Sequence, residues 1–230
     1  MKMIRRPPRK IVRLTPVELS GEIAKWYNNH TAAISLTYDI GAPDTQLDRD
    51  VQQAVLERGL HLDYELVTYN IWQEKAEYIS EVMIPNGFQF FGHGHWHINH
   101  DQLSYERSKE SFQLCYGAMT GLGITPVAYA YPGGHGRTQS THQALADAGF
   151  LSGRMFEASD SRNNPYIMSN EETEPENWFA LPSLVMMSSD FSENPDVIHD
   201  TAELIPFLEG AIKRRAWLIT TYHAIGNPEG

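Results

Sequence analysis

Residues 32–39, "AAISLTYD", read as a buried strand, and residues 45–60, "TQLDRDVQQAVLERGL", then place apolar side chains at helical spacing before a glycine stop. The alternation repeats along the chain. Strands are expected at "YELVTY", "FQFFGH", "PVAYAYP", "LSGRMF", "WFALPSLVMM" and "AWLITTYH". Helices are expected at "QEKAEYISEVMIPNG", with Pro85 and Gly87 as terminator, and at "YERSKESFQLCYGAMTGLG", "RTQSTHQALADAGF" and "DTAELIPFLEGAIKRR". Residues 157–177 are rich in Asn, Ser and Glu, lack any period, and read as a long surface loop. Strands alternating with helices give a mainly parallel sheet wrapped by helices, so the class is α/β. Seven strand segments in one chain suit a barrel better than a flat open sheet.

Composition narrows the function. A chain of 230 residues with 41% hydrophobic content can bury one full core, read here as a single unit over residues 31–230 behind an N-terminal extension, residues 1–30. The net charge of −11 argues against a nucleic-acid or anionic-membrane partner, because only "KMIRRPPRK" is basic. No stretch approaches the length of a membrane span, and the start lacks the apolar centre of a signal peptide. The expected location is the cytoplasm, or outside the cell if a leader was removed. The single cysteine, Cys115, sits in a helical run and reads as a small buried apolar residue.

Candidate chemistry gathers at the ends of the expected strands, the side on which parallel barrels carry their sites. Asp39 ends the first strand, His93 the third, Tyr131 and Pro132 the "AYAYP" strand, and His223 the last. "FGHGHWHINHD" places His93, His95, His97 and His100 within eight positions. His93 and His97 are four apart, which on one helical turn aims both rings at a common divalent ion. His100, seven after His93, would share that face, and His95 would point elsewhere. Gly92 and Gly94 permit a tight backbone path into the turn. Trp72, Trp96, Tyr131 and Trp178 are candidates for stacking on sugar rings or for the core.

These residues, taken in order, resemble the polysaccharide deacetylases (carbohydrate esterase family 4, with the nodulation-protein-B homology domain) over residues 32–226. "LTYDIG" is similar to that family's Thr-Phe-Asp-Asp-Gly motif, His93 to His97 to its His-x-x-x-His, "AYAYPGG" to a variant of its third motif, and "LITTYHAIG" to its closing Leu-x-His. The resemblance implies a distorted (β/α) barrel of about seven parallel strands that removes acetyl groups from an N-acetylated or O-acetylated carbohydrate. It further implies a divalent metal, zinc, held by His93 and His97, with Asp39 as base, His223 as acid, and the Gly133 N–H beyond Pro132 helping to hold the oxyanion.

The departures are equally specific. The family's metal-binding second Asp is Ile40 here, and an aliphatic side chain cannot coordinate zinc. Either His100 supplies a third imidazole, Asp44 reaches in from the following loop rather than capping a helix, or the site works without metal. The Arg that pairs with the family's base is replaced by Ala130, so Arg154 either takes over that pairing and faces substrate or pairs with Glu157 and solvent. Two other functions fit the same residues. One is a metal-independent, allantoinase-like hydrolase of cyclic amides; the other is an inactive carbohydrate-binding relative.

Overall fold

The computed structural model describes residues 25–41, 46–71, 73–156, 162–189 and 192–223. Eight strands make one sheet: β1 (Ala33–Gly41), β2 (Asp63–Leu66), β3 (Gln89–Gly92), β4 (Ala128–Ala130), β5 (Ser152–Arg154), β6 (Tyr166–Ile167), β7 (Leu184–Met186) and β8 (Trp217–His223). Among the described residues, the α-helices between them include α1 (Gln46–Glu57), α2 (Gln73–Tyr78), α3 (Tyr105–Gly121), α4 (Gln139–Asp147) and α5 (Thr201–Arg214). The strand order is β5-β4-β3-β2-β1-β8, with β7 parallel to β8 and the short β6 antiparallel to it. Leu181, just before β7, bridges Arg154 of β5 in parallel fashion, so the two edges meet. Apart from β6, seven parallel strands form a curled, distorted (β/α) barrel, as the pattern of the chain implies.

The residues sort into two faces by strand periodicity. On the outer face, Tyr38, Tyr64, Phe90 and Tyr129 pack with Phe112, Cys115 and Met119 of α3 and with Phe150, and Tyr64 meets Phe88 edge-on at 5.6 Å. Cys115 is fully buried there, as its helical context suggests. The inner face is polar. Thr37, Glu65, Arg154, Ser183 and Thr221 are all buried, and Thr37 and Thr221 share a hydroxyl contact of 3.1 Å. The Thr221 hydroxyl donates to Ser183 Oγ at 3.1 Å, and Arg154 Nη1 donates to the same oxygen at 3.2 Å.

Two elements differ from their sequence expectation. The helix expected over residues 73–87 is α-helical only to Tyr78; it continues as a π turn, Ile79–Met83, and a 3-10 turn, Ile84–Asn86, before Gly87 at φ 86° ends it. Within the 157–177 stretch, Tyr166–Ile167 pairs with β8. Among the described residues, no helix is long and apolar enough to cross a membrane.

Close packing on the outer face gives a test. A Cβ on Gly92 would lie 2.9 Å from the Tyr129 ring, 3.0 Å from Cys115 Sγ and 3.1 Å from the Phe150 ring. Gly92→Ala is therefore expected to cost about 1–3 kcal/mol through overpacking, read as a lower urea midpoint at unchanged slope.

Candidate functional site

Strand register assembles the centre of the site. Asp39 on β1 pairs across the sheet with Glu65 on β2 and with His223 on β8. Paired residues of parallel strands project to the same face, so these three side chains form one row at the top of the barrel. His93 follows β3, its N–H bonded to the Leu66 carbonyl at 2.8 Å, and brings its ring into the same row. Its Nε2 lies 3.4 Å from Asp39 Oδ1, and His223 Nε2 lies 3.8 Å from Asp39 Oδ2. Asp39 is thus flanked by two imidazoles.

The tautomer of His93 follows from its partners. Nδ1 faces the Ala130 carbonyl at 2.9 Å, and a carbonyl only accepts, so Nδ1 carries the proton. Nε2 is buried without a hydrogen-bond partner and looks at a carboxylate. A lone pair against an anion repels, and either a second ring proton or a bound cation removes the conflict. Burial alone pulls His93 down, but the Asp39 contact and the charge of Glu65 outweigh it, and its pKa stands above the ordinary value. Burial works against the Asp39 anion too, yet His93, His223 and Arg154 hold its pKa down at about 2.

Glu65 is a residue of this site that the sequence reading missed. It is fully buried, its Oε2 lies 3.7 Å from His93 Nδ1, and it forms an ion pair with Arg154 across the barrel. The only signal in the sequence was an acid flanked by apolar residues in "YELVTY". Ligand atoms of Asp39, Glu65 and His93 lie within 4.8 Å of one another. Because Glu65 is neutralised by Arg154 and lies at the Nδ1 side of His93, the free Nε2 of His93 is the better donor for a cation, with the Asp39 carboxylate beside it. The residues fit a divalent metal at that point, with the His97 ring 4.9 Å from that of His93, centroid to centroid.

Several expectations need correction. Residues 93–99 form an irregular loop rather than a helical turn, with Gly94 at φ 95°, so the rings of His93 and His97 meet through a loop. His100 does not join them. Its ring stacks on Phe112 at 4.3 Å and its Nε2 meets Ser111 Oγ at 3.0 Å, where burial pushes its pKa down to about 4. Arg154 is buried against Glu65 rather than paired directly with Asp39 or turned to substrate. Tyr131 is also buried, its hydroxyl donating to the Phe179 carbonyl at 3.1 Å and its ring pressed on Gly136 and Gly153, so it offers no face to a sugar.

Pro132 is buried, while Gly133 is exposed at the tip of the following turn, at φ 65°. Trp96 is exposed on the rim beside His95, whose ring also meets Tyr69. Asp44, Trp72 and Glu157 lie outside the described residues, and for Ile40 the backbone alone is described: it is the extra residue of a bulge between Asp39 and Gly41.

Two predictions follow from this geometry. Arg154→Met strands the Glu65 carboxylate in the barrel and is expected to cost about 3–5 kcal/mol, whereas Glu65→Leu with Arg154→Met recovers most of the loss; urea denaturation of the two single variants and the double variant measures both. The second concerns pH in the metal-free protein. The raised His93 pKa contributes stability that is complete below the unfolded value, about 6.5, and is lost as pH rises through the folded value. The depressed Asp39 pKa contributes stability present above its unfolded value, about 3.9, and lost as pH falls towards about 2. The pair is strongest between these limits. A divalent ion taken by His93 Nε2 would displace the proton there, so calorimetry in buffers of different ionisation enthalpy is expected to show proton release on metal addition in that window.

The chain can now be set beside known proteins. It is similar to a Mycobacterium smegmatis protein described as a polysaccharide deacetylase, with 17% identity, coverage of 92% of this chain and 82% of that one, and a TM-score of 0.60, a likeness of fold. A family 4 acetyl xylan esterase from Clostridium thermocellum, solved with a cobalt ion, is 16% identical over 82% of this chain and 87% of its own, at a TM-score of 0.48. A CE4 family pseudoenzyme from Bacillus anthracis is 11% identical over 85% of this chain and 65% of its own, also at 0.48. No curated protein matches the chain. The polysaccharide deacetylase family matches residues 27–152, more than half of the length and inclusive of Asp39, Glu65 and His93, and the chain belongs to that family.

Proposed function

We propose that Asp39 and His223 are the base and acid of an acetyl-group hydrolysis at this row, with His93 and His97 as the holders of a divalent metal, zinc in our reading. Membership of the family makes the chain a hydrolase that removes acetyl groups from carbohydrate. The observation that carries the assignment of roles is the position of Asp39 between two imidazoles, one buried and one at the rim. A proton can be taken on one side of the reacting carbonyl and returned on the other.

The metal, when bound, lowers the pKa of a water and polarises the acetyl carbonyl. Asp39, held ionised across the neutral range, accepts the proton of the attacking water. His223 is partly open to solvent, at 43% side-chain exposure, and stands on the far side of Asp39 from His93. From there it donates a proton to the departing nitrogen or oxygen. Gly133 extends an exposed turn from the end of β4, where its N–H is our candidate for the oxyanion. Trp96 on the rim is suited to stack against a sugar ring.

One feature favours a second reading. Ile40 supplies no ligand, and Arg154 already neutralises Glu65, so the metal site has fewer anionic donors than the family pattern provides. That favours a metal-independent hydrolase of cyclic amides, or a carbohydrate-binding relative without activity. Elemental analysis of purified protein, combined with acetate release from an N-acetylglucosamine tetramer and an acetylated xylooligosaccharide, separates the three. Metal with acetate is the expected result. Amide hydrolysis without metal supports the first alternative, and neither activity nor metal the second.

Asp39→Asn is expected to keep the fold and lower the rate by about 10²–10⁴. His223→Ala is expected to cost a similar factor on acetamides and less on activated esters, whose leaving groups need no proton. Equal losses on both substrates would reduce His223 to a structural role.

A further inference from the structure

The loop that carries His97 and the turn that carries Gly133 come from different strands, yet they are tied together at two points. The lower tie is His93 Nδ1 donating to the Ala130 carbonyl at 2.9 Å, where both segments leave the barrel. The upper tie is Asp101, four residues beyond His97. Its carboxylate accepts from the N–H groups of Gly136 at 2.9 Å, Arg137 at 3.0 Å and Thr138 at 3.2 Å, and from the hydroxyls of Thr138 at 3.3 Å and Thr141 at 2.8 Å. Residues 93–101 and 130–136 therefore form a ring closed at its base and at its rim. His97 lies on one side and Gly133 on the other.

We propose that Asp101 is a positioning residue for the hydrolysis: it fixes the Gly133 turn against the His97 loop, so that the oxyanion donor and the metal-holding imidazole keep their separation. This rests on the reading of the site given above. Capping of α4 does not account for the arrangement, because that helix is already capped by the Thr138 side chain, which accepts from the Thr141 N–H. Gly136 and Arg137 precede the helix, and their N–H groups donate to the carboxylate from a segment held by left-handed glycines. Gly134, at φ 75°, leaves no room for a Cβ against the Phe156 carbonyl, and Gly136, at φ 129°, leaves none against the Tyr131 ring. The His142 ring extends the tie, meeting the Gly136 carbonyl at 2.6 Å. A backbone path this constrained has few alternatives while the carboxylate is in place, and it is released when one oxygen becomes an amide donor facing other donors.

The test compares wild type with Asp101→Asn on the N-acetylglucosamine tetramer and the acetylated xylooligosaccharide, with kcat and KM measured separately below the melting temperature of the variant. Loss of alignment at the reacting centre is expected to lower kcat on the order of tenfold to a hundredfold, with KM changed by less than about twofold. Amide exchange at residues 133–138 is expected to accelerate in parallel. Unchanged kcat despite faster exchange would overturn the proposal and leave Asp101 as a loop tether. If Asp101→Asn does not fold, Asp101→Glu, which retains the charge and moves the carboxylate by one methylene, replaces it under the same criteria. A wild-type protein inactive on both substrates defeats the functional reading itself and the positioning role with it; an active wild type with an unaffected variant defeats the positioning role alone.

Discussion

The ion pair between Glu65 and Arg154, sealed inside the barrel, is the constraint on which the upper half of the molecule depends. Barrels of this class commonly fill their interiors with branched apolar side chains. Here the lumen instead contains a guanidinium reaching from β5 to a carboxylate on β2, with Ser183 and Thr221 carrying the contact towards β8 and Thr37. A buried pair of this kind gives little net stability, since its desolvation offsets the attraction. Its effect lies in direction. Neither charge can leave the other without being stranded, so β2, β5 and the segment before β7 are held in one register, the edge where this barrel closes with a single bridge.

The same pair sets the charge of the site above it. Glu65 lies under His93 and sustains its positive form, while Arg154 adds to the two imidazoles in keeping Asp39 ionised. The site thereby sets His93 between two carboxylates, Asp39 and Glu65, with the Arg154 guanidinium beyond Glu65. Removing one member alters the electrostatics of its neighbours, because Glu65, His93 and Arg154 are shielded from water.

Much of this was legible in the sequence, for a physical reason. The seven parallel strands were marked by their patterning, though the short antiparallel β6 was not, and the residues at the strand ends, Asp39, His93 and His223, needed only the parallel topology to be brought together. What failed was the extension of helical spacing into a loop. His100 shares a face with His93 only if the backbone between them is helical, and the positive φ at Gly94 redirects it, turning His100 onto Phe112. Glu65 was hidden as the partner of Arg154 because the two meet across the lumen, between strands that are not neighbours in the sheet. Period-two patterning reports which face a residue takes but not what stands opposite it.

Position 40 shows how such a fold can absorb a change at its centre. The family pattern puts a carboxylate there, whereas this chain has an isoleucine on the extra residue of a bulge. A bulge bends the strand and re-aims the residues beside it. One strand over, in register with Asp39, the chain carries the Glu65 carboxylate, which the composition of "YELVTY" did not advertise as part of the site. Loss of an anion at the rim and retention of an anion below His93 leave the electrostatic surroundings of that imidazole negative, although the donor has moved from the position of a ligand to that of a support for the ligand. The fold thus keeps His93 basic and oriented by two carboxylates and a carbonyl, which is what a metal-holding or proton-carrying imidazole requires in either case.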